Sequence, residues 1–377
     1  MKRRGKTFLR LCSYLLVAAL ASAATWCFVP GSNKLDQLAA IIEHRFIGEA
    51  DMILVEDAAA TAMVAALGDR WSHYIPAAEY ADYVHNQKNE YVGIGVAIQK
   101  RQDGNGFDVL EVYEGGPAEE AGILPGDIIT HVDEEPVVEL DTTGLRNRIL
   151  GEKNTKLTIT VLRAEEVLTF PVTRKAIHTK VAAGTMLTET IGYVAIANFH
   201  TGAAKEAIAV IEDLLGQGAE GLVLDVRNNP GGYTDEMVEL LDYLLPEGPL
   251  FKTVNYNGTE ELETSDVACL EIPMAVLMNG NSYSAAEFFA AALDEYDWAV
   301  TVGEQTVGKG YYQITTPLSD GSAVSLSMGK YFTPRGINLA EAGGLVPDIP
   351  VEPAQGYVSL EEDPQIHAAL GAITGNS

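Results

Sequence analysis

Cysteine is scarce in this 377-residue chain: Cys12 and Cys27 lie among the first 31 residues, and Cys269 stands alone in the body. A single thiol can build neither a disulfide framework nor a zinc cluster. The seven histidines, at 44, 73, 85, 131, 178, 200 and 367, lack metal-ligand spacing, which disfavours a metal enzyme. Positive charge is also short, with 25 Lys and Arg against 53 Asp and Glu and a net charge of −28. That balance disfavours a nucleic-acid partner, because phosphate binding needs a basic face. There is no internal repeat or low-complexity tract, and only one uncharged run is long enough to span a bilayer. Apolar residues are plentiful at 47%, against 21% charged. They provide for packed cores in two or three domains and exclude a disordered, collagen-like or coiled-coil chain.

The uncharged run covers residues 11–29, between a basic cluster (Lys2, Arg3, Arg4, Lys6, Arg10) and the breaker Pro30-Gly31-Ser32. As a helix it would be about 28 Å long, close to the ~30 Å hydrocarbon core. The positive flank orients the N-terminus inward, and Trp26 and Phe28 stand where interface anchors belong. A signal anchor in the membrane, with the body outside the cytoplasm, is the reading taken. A cleavable signal peptide, cut near Ala21-Ser22-Ala23 and leaving a secreted body, is the alternative. Cys27 follows Trp26 rather than the small residue a lipidation site needs.

Three regions follow. Residues 32–88 carry apolar positions at helical spacing (Leu35, Leu38, Ala39, Ile42), then an Ala-rich helix over 58–67 ending at Gly68, then the polar turn Asp69-Arg70-Trp71-Ser72. Residues 89–178 switch to period-two alternation, with Leu157, Ile159 and Val161 on one face and Thr158 and Thr160 on the other. Short strands with one or two helical turns predict a small β-barrel module. Gly93-Ile94-Gly95-Val96 sits before its first strands, where alternate glycines let N–H groups converge on an anion. Residues 179–353 alternate strands and helices, which predicts an α/β domain with a largely parallel sheet.

Two places could carry chemistry. Ser284 lies between a buried strand at 274–278 and an Ala-rich helix. A serine there is most often only an N-cap, but a strand–turn–helix serine can also be a nucleophile beside oxyanion-binding N–H groups. The segment 303–310 imitates a phosphate loop. However, Gly310 replaces the magnesium-binding Ser or Thr, and a hairpin pattern rather than a helix follows. Lys309 within it is either a solvated charge or a desolvated, neutral amine able to act as a base.

The runs YVGIGVAI, GGPAEEAGILPGDIITHVD and LTITVLR resemble a PDZ domain of the kind found in bacterial carboxy-terminal processing peptidases. LDVRNNPGG, NGNSYSAAEFFAAALDE, VGEQTVGKGYYQ and GKYFTPRG…GGLVPDIPV follow in the order those tail-specific proteases show, so that the resemblance spans about residues 69–352. It implies an α/β multidomain protein: a helical segment at 32–88, a PDZ module at 89–178, a peptidase domain at 179–353 (ClpP/crotonase-like, with a mostly parallel sheet) and a C-terminal tail at 354–377. The activity implied is a serine endopeptidase of a bacterial cell membrane, acting outside the cytoplasm without a cofactor.

In that resemblance Ser284 is the nucleophile, Lys309 the general base and Gln313 the residue orienting the lysine. Ala285, Gly231 and Gly232 form the oxyanion hole, and Gly93, Ile94, Gly95 and Val96 hold the terminal carboxylate of a protein or peptide with a free, apolar C-terminus. Ser282 is the rival nucleophile. The walls around Lys309 are expected to be apolar or amide-bearing, because a nearby acid would favour its charged form. A homodimer is also implied, and a catalytically silent peptide-binding scaffold is the alternative function. Two positions depart from the pattern: Arg70-Trp71 replaces Pro-Tyr or Pro-Phe, and Leu150 stands where relatives often carry an arginine.

Overall fold

The structure, a computed structural model, describes residues 33–356 and 358–375. It divides into two compact units, the first ending at Tyr74 and the second starting at Ile75. The run 11–29, expected to span a membrane, lies outside the described residues. Among those, no helix is long and apolar enough to cross a membrane. The longest have 14 residues, about 21 Å. The single-pass anchor, and the membrane placement and membrane partner drawn from it, find no support in the described helices and are not carried further.

The first unit holds helices α1 (Lys34–Arg45) and α2 (Met52–Ala65). Asn33 caps α1 by accepting from the Leu35 and Asp36 N–H groups, while Asp36 accepts from the Asn33 N–H, a reciprocal capping box. Asp51 caps α2, which begins six residues earlier than its alanine run suggested. The turn after it is closed by Asp69, which accepts from Trp71 N–H and Ser72 Oγ.

The second unit opens with α3 (Ala77–Gln87) and β1 (Glu90–Gly93). The module that follows runs β2 (Val96–Lys100), β3 (Phe107–Val112), α4 (Pro117–Ala121), β4 (Ile128–Val132), α5 (Thr142–Ile149), β5 (Lys156–Arg163) and β6 (Glu166–Thr173), and β7 (Lys175–His178) returns to pair with β1. Its sheet, in the order β2-β3-β4-β5-β6, is antiparallel throughout. Leu157, Ile159 and Val161 face a core with Phe107, Ile129 and Leu145, as the alternation required. Ala164 and Glu165 turn the β5–β6 hairpin with φ of 47° and 70°, the pair of positive values a type I′ turn needs.

The remaining segment gives β8 (Ala182–Met186), β9 (Ile191–Ile196), α6 (Ala203–Gly216), β10 (Gly221–Asp225), α7 (Thr234–Leu244), β11 (Gly248–Asn255), β12 (Glu260–Ser265), β13 (Met274–Met278), α8 (Ala285–Glu295), β14 (Ala299–Gly303), β15 (Tyr311–Pro317), β16 (Ala323–Phe332), β17 (Ile349–Pro350) and α9 (Pro364–Thr374). One sheet runs β8-β9-β10-β13-β14-β17, with β8 antiparallel to β9 and the later pairs parallel. The second, β15-β16-β11-β12, is antiparallel.

The expectation of a ClpP/crotonase-like domain on a mostly parallel sheet is thus corrected. The peptidase segment carries two sheets, and most strand pairs among the described residues are antiparallel. Local hairpins are the reason. β11–β12 and β15–β16 are joined by short polar turns, too short for the crossover a parallel pair requires. Helices α6, α7 and α8 pack around one large core, and α9 lays Ile366 and Ala369 on Val223, Ala275 and Leu277. Arg227 fastens α9 by donating to Asp363 and Gln365 at 2.7 Å while holding Asp225 at 2.6 Å.

Candidate active site

β13 is buried along its whole length, and α8 is buried from Ala285 to Leu293, so the turn between them is anchored at both ends. Ser284 is the hinge, with φ 59° and ψ −129°, a backbone state that costs a residue with a side chain about 1–3 kcal/mol. Strain of this kind persists only where its surroundings over-determine it. Here Asn279 and Asn281 both donate to Asn228 Oδ1, Asn228 N–H donates back to Asn279 Oδ1, and Tyr283 N–H donates to the Asn229 carbonyl. The hydroxyl therefore stands at the N-terminus of an 11-residue helix, on a sharp strand-to-helix elbow.

Glu287, fully buried one turn into α8, was missed as a site residue. Its Oε2 accepts from the N–H of Ser284 and of Lys309, and its Oε1 from the Thr306 hydroxyl and the Gly308 N–H. One carboxylate thus joins the elbow to the lysine turn. The signal was present in the sequence as Ser284-Ala-Ala-Glu287, a capping-box spacing. The expectation of apolar or amide-bearing walls concerns the Lys309 amine, whereas Glu287 meets Lys309 at its backbone N–H. Four donors share that charge, which is how a buried carboxylate is tolerated. Lys309 Nζ lies 5.8 Å from the Tyr283 ring centroid.

Ser282, the rival nucleophile, is fully buried. Its hydroxyl donates to the Val226 carbonyl at 2.8 Å and accepts from Asn279 N–H at 3.0 Å. It splints the two loops and is not presented to a substrate.

Gly231 lies against the elbow. A Cβ there would sit 2.8 Å from Ala285 N and from Ser284 Cβ, and its φ of +86° already favours glycine. The space beside the Ala285 N–H is therefore kept open by the missing side chain. Gly231's own N–H donates to Asn229 Oδ1 at 2.8 Å, so it shapes that space rather than facing into it. Gly232 bridges to Phe199.

Gln313 sits just past a β-bulge whose extra residue, Met328, lies on β16, and it pairs with Ser327. Its amide donates to Ser327 Oγ at 2.9 Å and to the Tyr311 carbonyl at 3.2 Å, which fixes the side chain and leaves Oε1 as the acceptor end. Tyr331, also missed, places its phenol close enough to Ser284 to interact with it, and burial pushes that phenol up to about 12. Its ring packs on Phe251 and Phe288. The segment 303–310 runs into β15, not a helix, as the hairpin pattern indicated.

In the other module, Gly93, Ile94 and Gly95 are buried and Val96 begins β2. Gly95 has φ +76°, the Ile94 carbonyl accepts from Ala118 N–H and the Gly95 carbonyl accepts from Tyr113 N–H. These bonds turn the loop around a cavity of about 320 Å³ between β2 and α5.

The model of peptidase family S41 matches residues 190–351, which include Gly231, Ser284, Glu287, Lys309 and Gln313, and a PDZ-domain model matches residues 109–163. A carboxyl-terminal-processing protease of Synechocystis sp. is 33% identical over 325 residues, 83% of this chain and 75% of that protein. The chain belongs to this family of proteases.

As a carboxyl-terminal-processing protease it is a serine endopeptidase that recognises substrate C-termini through a PDZ domain and acts outside the cytoplasm. A Staphylococcus aureus protein named "Probable CtpA-like serine protease" is 30% identical over 336 residues, 88% of this chain and 67% of that one. The solved photosystem II D1 C-terminal processing protease aligns at 26% identity and a TM-score of 0.51 over 90% of both chains. The PDZ match begins after the Gly93–Val96 loop, so the loop's role in this protease rests on its geometry.

Proposed function

We propose that the protease cleaves peptide bonds with Ser284 as nucleophile, Lys309 as general base and Gln313 as the residue that positions the lysine. Neutral Lys309 takes the proton from Ser284 Oγ as the oxygen attacks the carbonyl carbon. The resulting oxyanion is held by the Ala285 N–H and, from the Gly231–Gly232 turn, by the Gly232 N–H, in the space that Gly231 keeps open, aided by the dipole of α8. Collapse expels the amine, which takes the proton from the lysine and leaves an acyl-enzyme. Water then repeats the sequence and frees the acid. The PDZ module, residues 89–178, captures the substrate's free C-terminus. Gly93, Ile94, Gly95 and Val96 take the carboxylate, and the peptide adds as a strand to β2, an outer strand of its sheet.

The observation that carries this reading is the strained elbow at Ser284, stitched by Glu287 to the turn of Lys309. A hydroxyl that served only as a helix cap would not need it. The test is incubation of the purified chain with apolar-tailed peptides, read by mass spectrometry. Cleavage by the wild type, with binding but no cleavage by Ser284→Ala, is expected. Binding without cleavage by the wild type would leave a peptide-binding scaffold instead.

A further inference from the structure

We propose that Arg146 makes the PDZ groove selective for substrates carrying an acidic residue third from the C-terminus. This rests on the reading of the groove as the site of a free C-terminus and names the class of tail it takes. Helix α5 and strand β2 run antiparallel along the cavity and are pinned at both ends. At one end a Leu150 methyl lies 3.3 Å from where a Gly93 Cβ would be. At the other, Lys100 Nζ donates to the Leu140 and Val138 carbonyls at 2.5 and 3.2 Å. Ile94, Val96, Ile98 and Ile149 give the cavity between them an apolar lining.

Thr142, Arg146, Ile149 and Leu150 all line this cavity, as spacings of four, seven and eight along one helix face demand. A peptide paired antiparallel to β2 starts at the Gly93–Val96 loop, level with Ile149, and runs toward Thr142. Its side chains alternate, so the last and the third-from-last face α5 while the penultimate turns away. Those two are about 7 Å apart along the strand. Arg146 is set back from Ile149 by about 4.5 Å of helix rise, and helical side chains lean further toward the N-terminus. Its guanidinium therefore comes level with the third-from-last side chain, beyond the terminal carboxylate.

Charge points the same way. Among the described residues no carboxylate forms an ion pair or hydrogen bond with Arg146, although acids outnumber bases two to one in this chain. Its electrostatic neighbour is the Tyr91 phenol. An exposed guanidinium on an apolar wall offers a planar fork that a carboxylate fits bidentately.

The test uses the full chain carrying Ser284→Ala, so that peptides bind uncut, and measures dissociation constants by fluorescence anisotropy. The probes are decapeptides with one apolar last residue and Glu, Gln or Lys third from the end, each as free acid and as amide. The expected result is about five-fold tighter binding of the Glu acid than of the Gln acid, with Lys weakest. Arg146→Gln should equalise Glu and Gln, and Arg146→Glu should invert the order in favour of Lys, a gain that misfolding cannot imitate. Equal binding of the Glu and Gln acids, with both preferred over their amides, would overturn this selectivity and leave the tail reading intact. A uniform loss for all acids in Arg146→Gln would also overturn it, by assigning the arginine to the terminal carboxylate. Equal binding of acids and amides would overturn the tail reading itself and this proposal with it.

Discussion

The backbone N–H groups of Ser284 and Lys309, 25 positions apart in sequence, donate to the same atom, Oε2 of Glu287, at 2.9 and 2.8 Å. The elbow and the lysine turn are thereby registered through one carboxylate, and neither can drift without straining the other.

Glu287→Gln keeps the shape but replaces one accepting oxygen with a donor, so two of the four N–H and O–H groups it now satisfies lose their partner. Each buried group left unpaired costs about 1–3 kcal/mol. A lower melting temperature is expected, together with a fall in kcat of at least about ten-fold and no change in tail binding by the PDZ module. Steady-state kinetics with a separate peptide-binding titration checks this. An unchanged kcat in a destabilised enzyme would reduce Glu287 to a structural role.

Ser284→Ala and Lys309→Met should both abolish turnover, and Lys309→Arg should fail too because a guanidinium stays charged. Ser282→Ala, by contrast, should keep cleaving while losing about 1–3 kcal/mol of stability, since the Ser282 hydroxyl supports Val226 and Asn279. In the wild type the rate should fall as pH drops, because protonation of the lysine removes the base. A Lys309→Met enzyme that cleaves with the wild-type pH profile would assign the base elsewhere.

Gly231→Ala sets a methyl carbon 2.8 Å from Ala285 N, in the space read as the oxyanion site. The expected outcome is a loss of about 10²–10³ in kcat with KM little changed, the pattern for an interaction made in the transition state. A change in KM alone would place the oxyanion elsewhere.

Asp294 gives a pH test of stability. Burial, then the charge of Asp348, raises its carboxyl to about 6, while Thr301 donates to Asp348 from both its N–H and its hydroxyl. A raised carboxyl favours the protonated folded state. Its stabilising effect is full below the ordinary carboxylate range, near pH 4, and is lost as pH rises through about 6. Asp294→Asn should therefore melt higher than the wild type at pH 8, by a margin that closes toward pH 4. Equal margins at both pH values, followed by circular dichroism, would contradict the shift.

What the sequence made legible was local. The alternation over 157–163 became β5, and the strand–turn–helix pattern around Ser284 became the elbow. Gly93-Ile94-Gly95-Val96 turned out to border the groove. What it hid depends on partners distant along the chain. The pairing of Glu287 with residues 306–309 leaves no periodic trace, and neither does the contact of Tyr331 with Ser284. The sheets mislead for a related reason. Strand–helix alternation is a signal for parallel order, but the two local hairpins between the alternating units form their own antiparallel layer. Ser282 and Ser284 could be separated only by seeing which hydroxyl is committed to a backbone carbonyl.

The backbone at Ser284 also bears on how the chain can change over generations. Its φ of 59° is tolerated more readily by glycine than by any residue with a side chain, so Ser284→Gly should raise the melting temperature even as it removes the proposed nucleophile. Selection for stability and selection for cleavage therefore pull position 284 in opposite directions. A lineage that kept the PDZ groove but gave up hydrolysis would drift toward glycine there, and one still cutting is held to serine despite the strain.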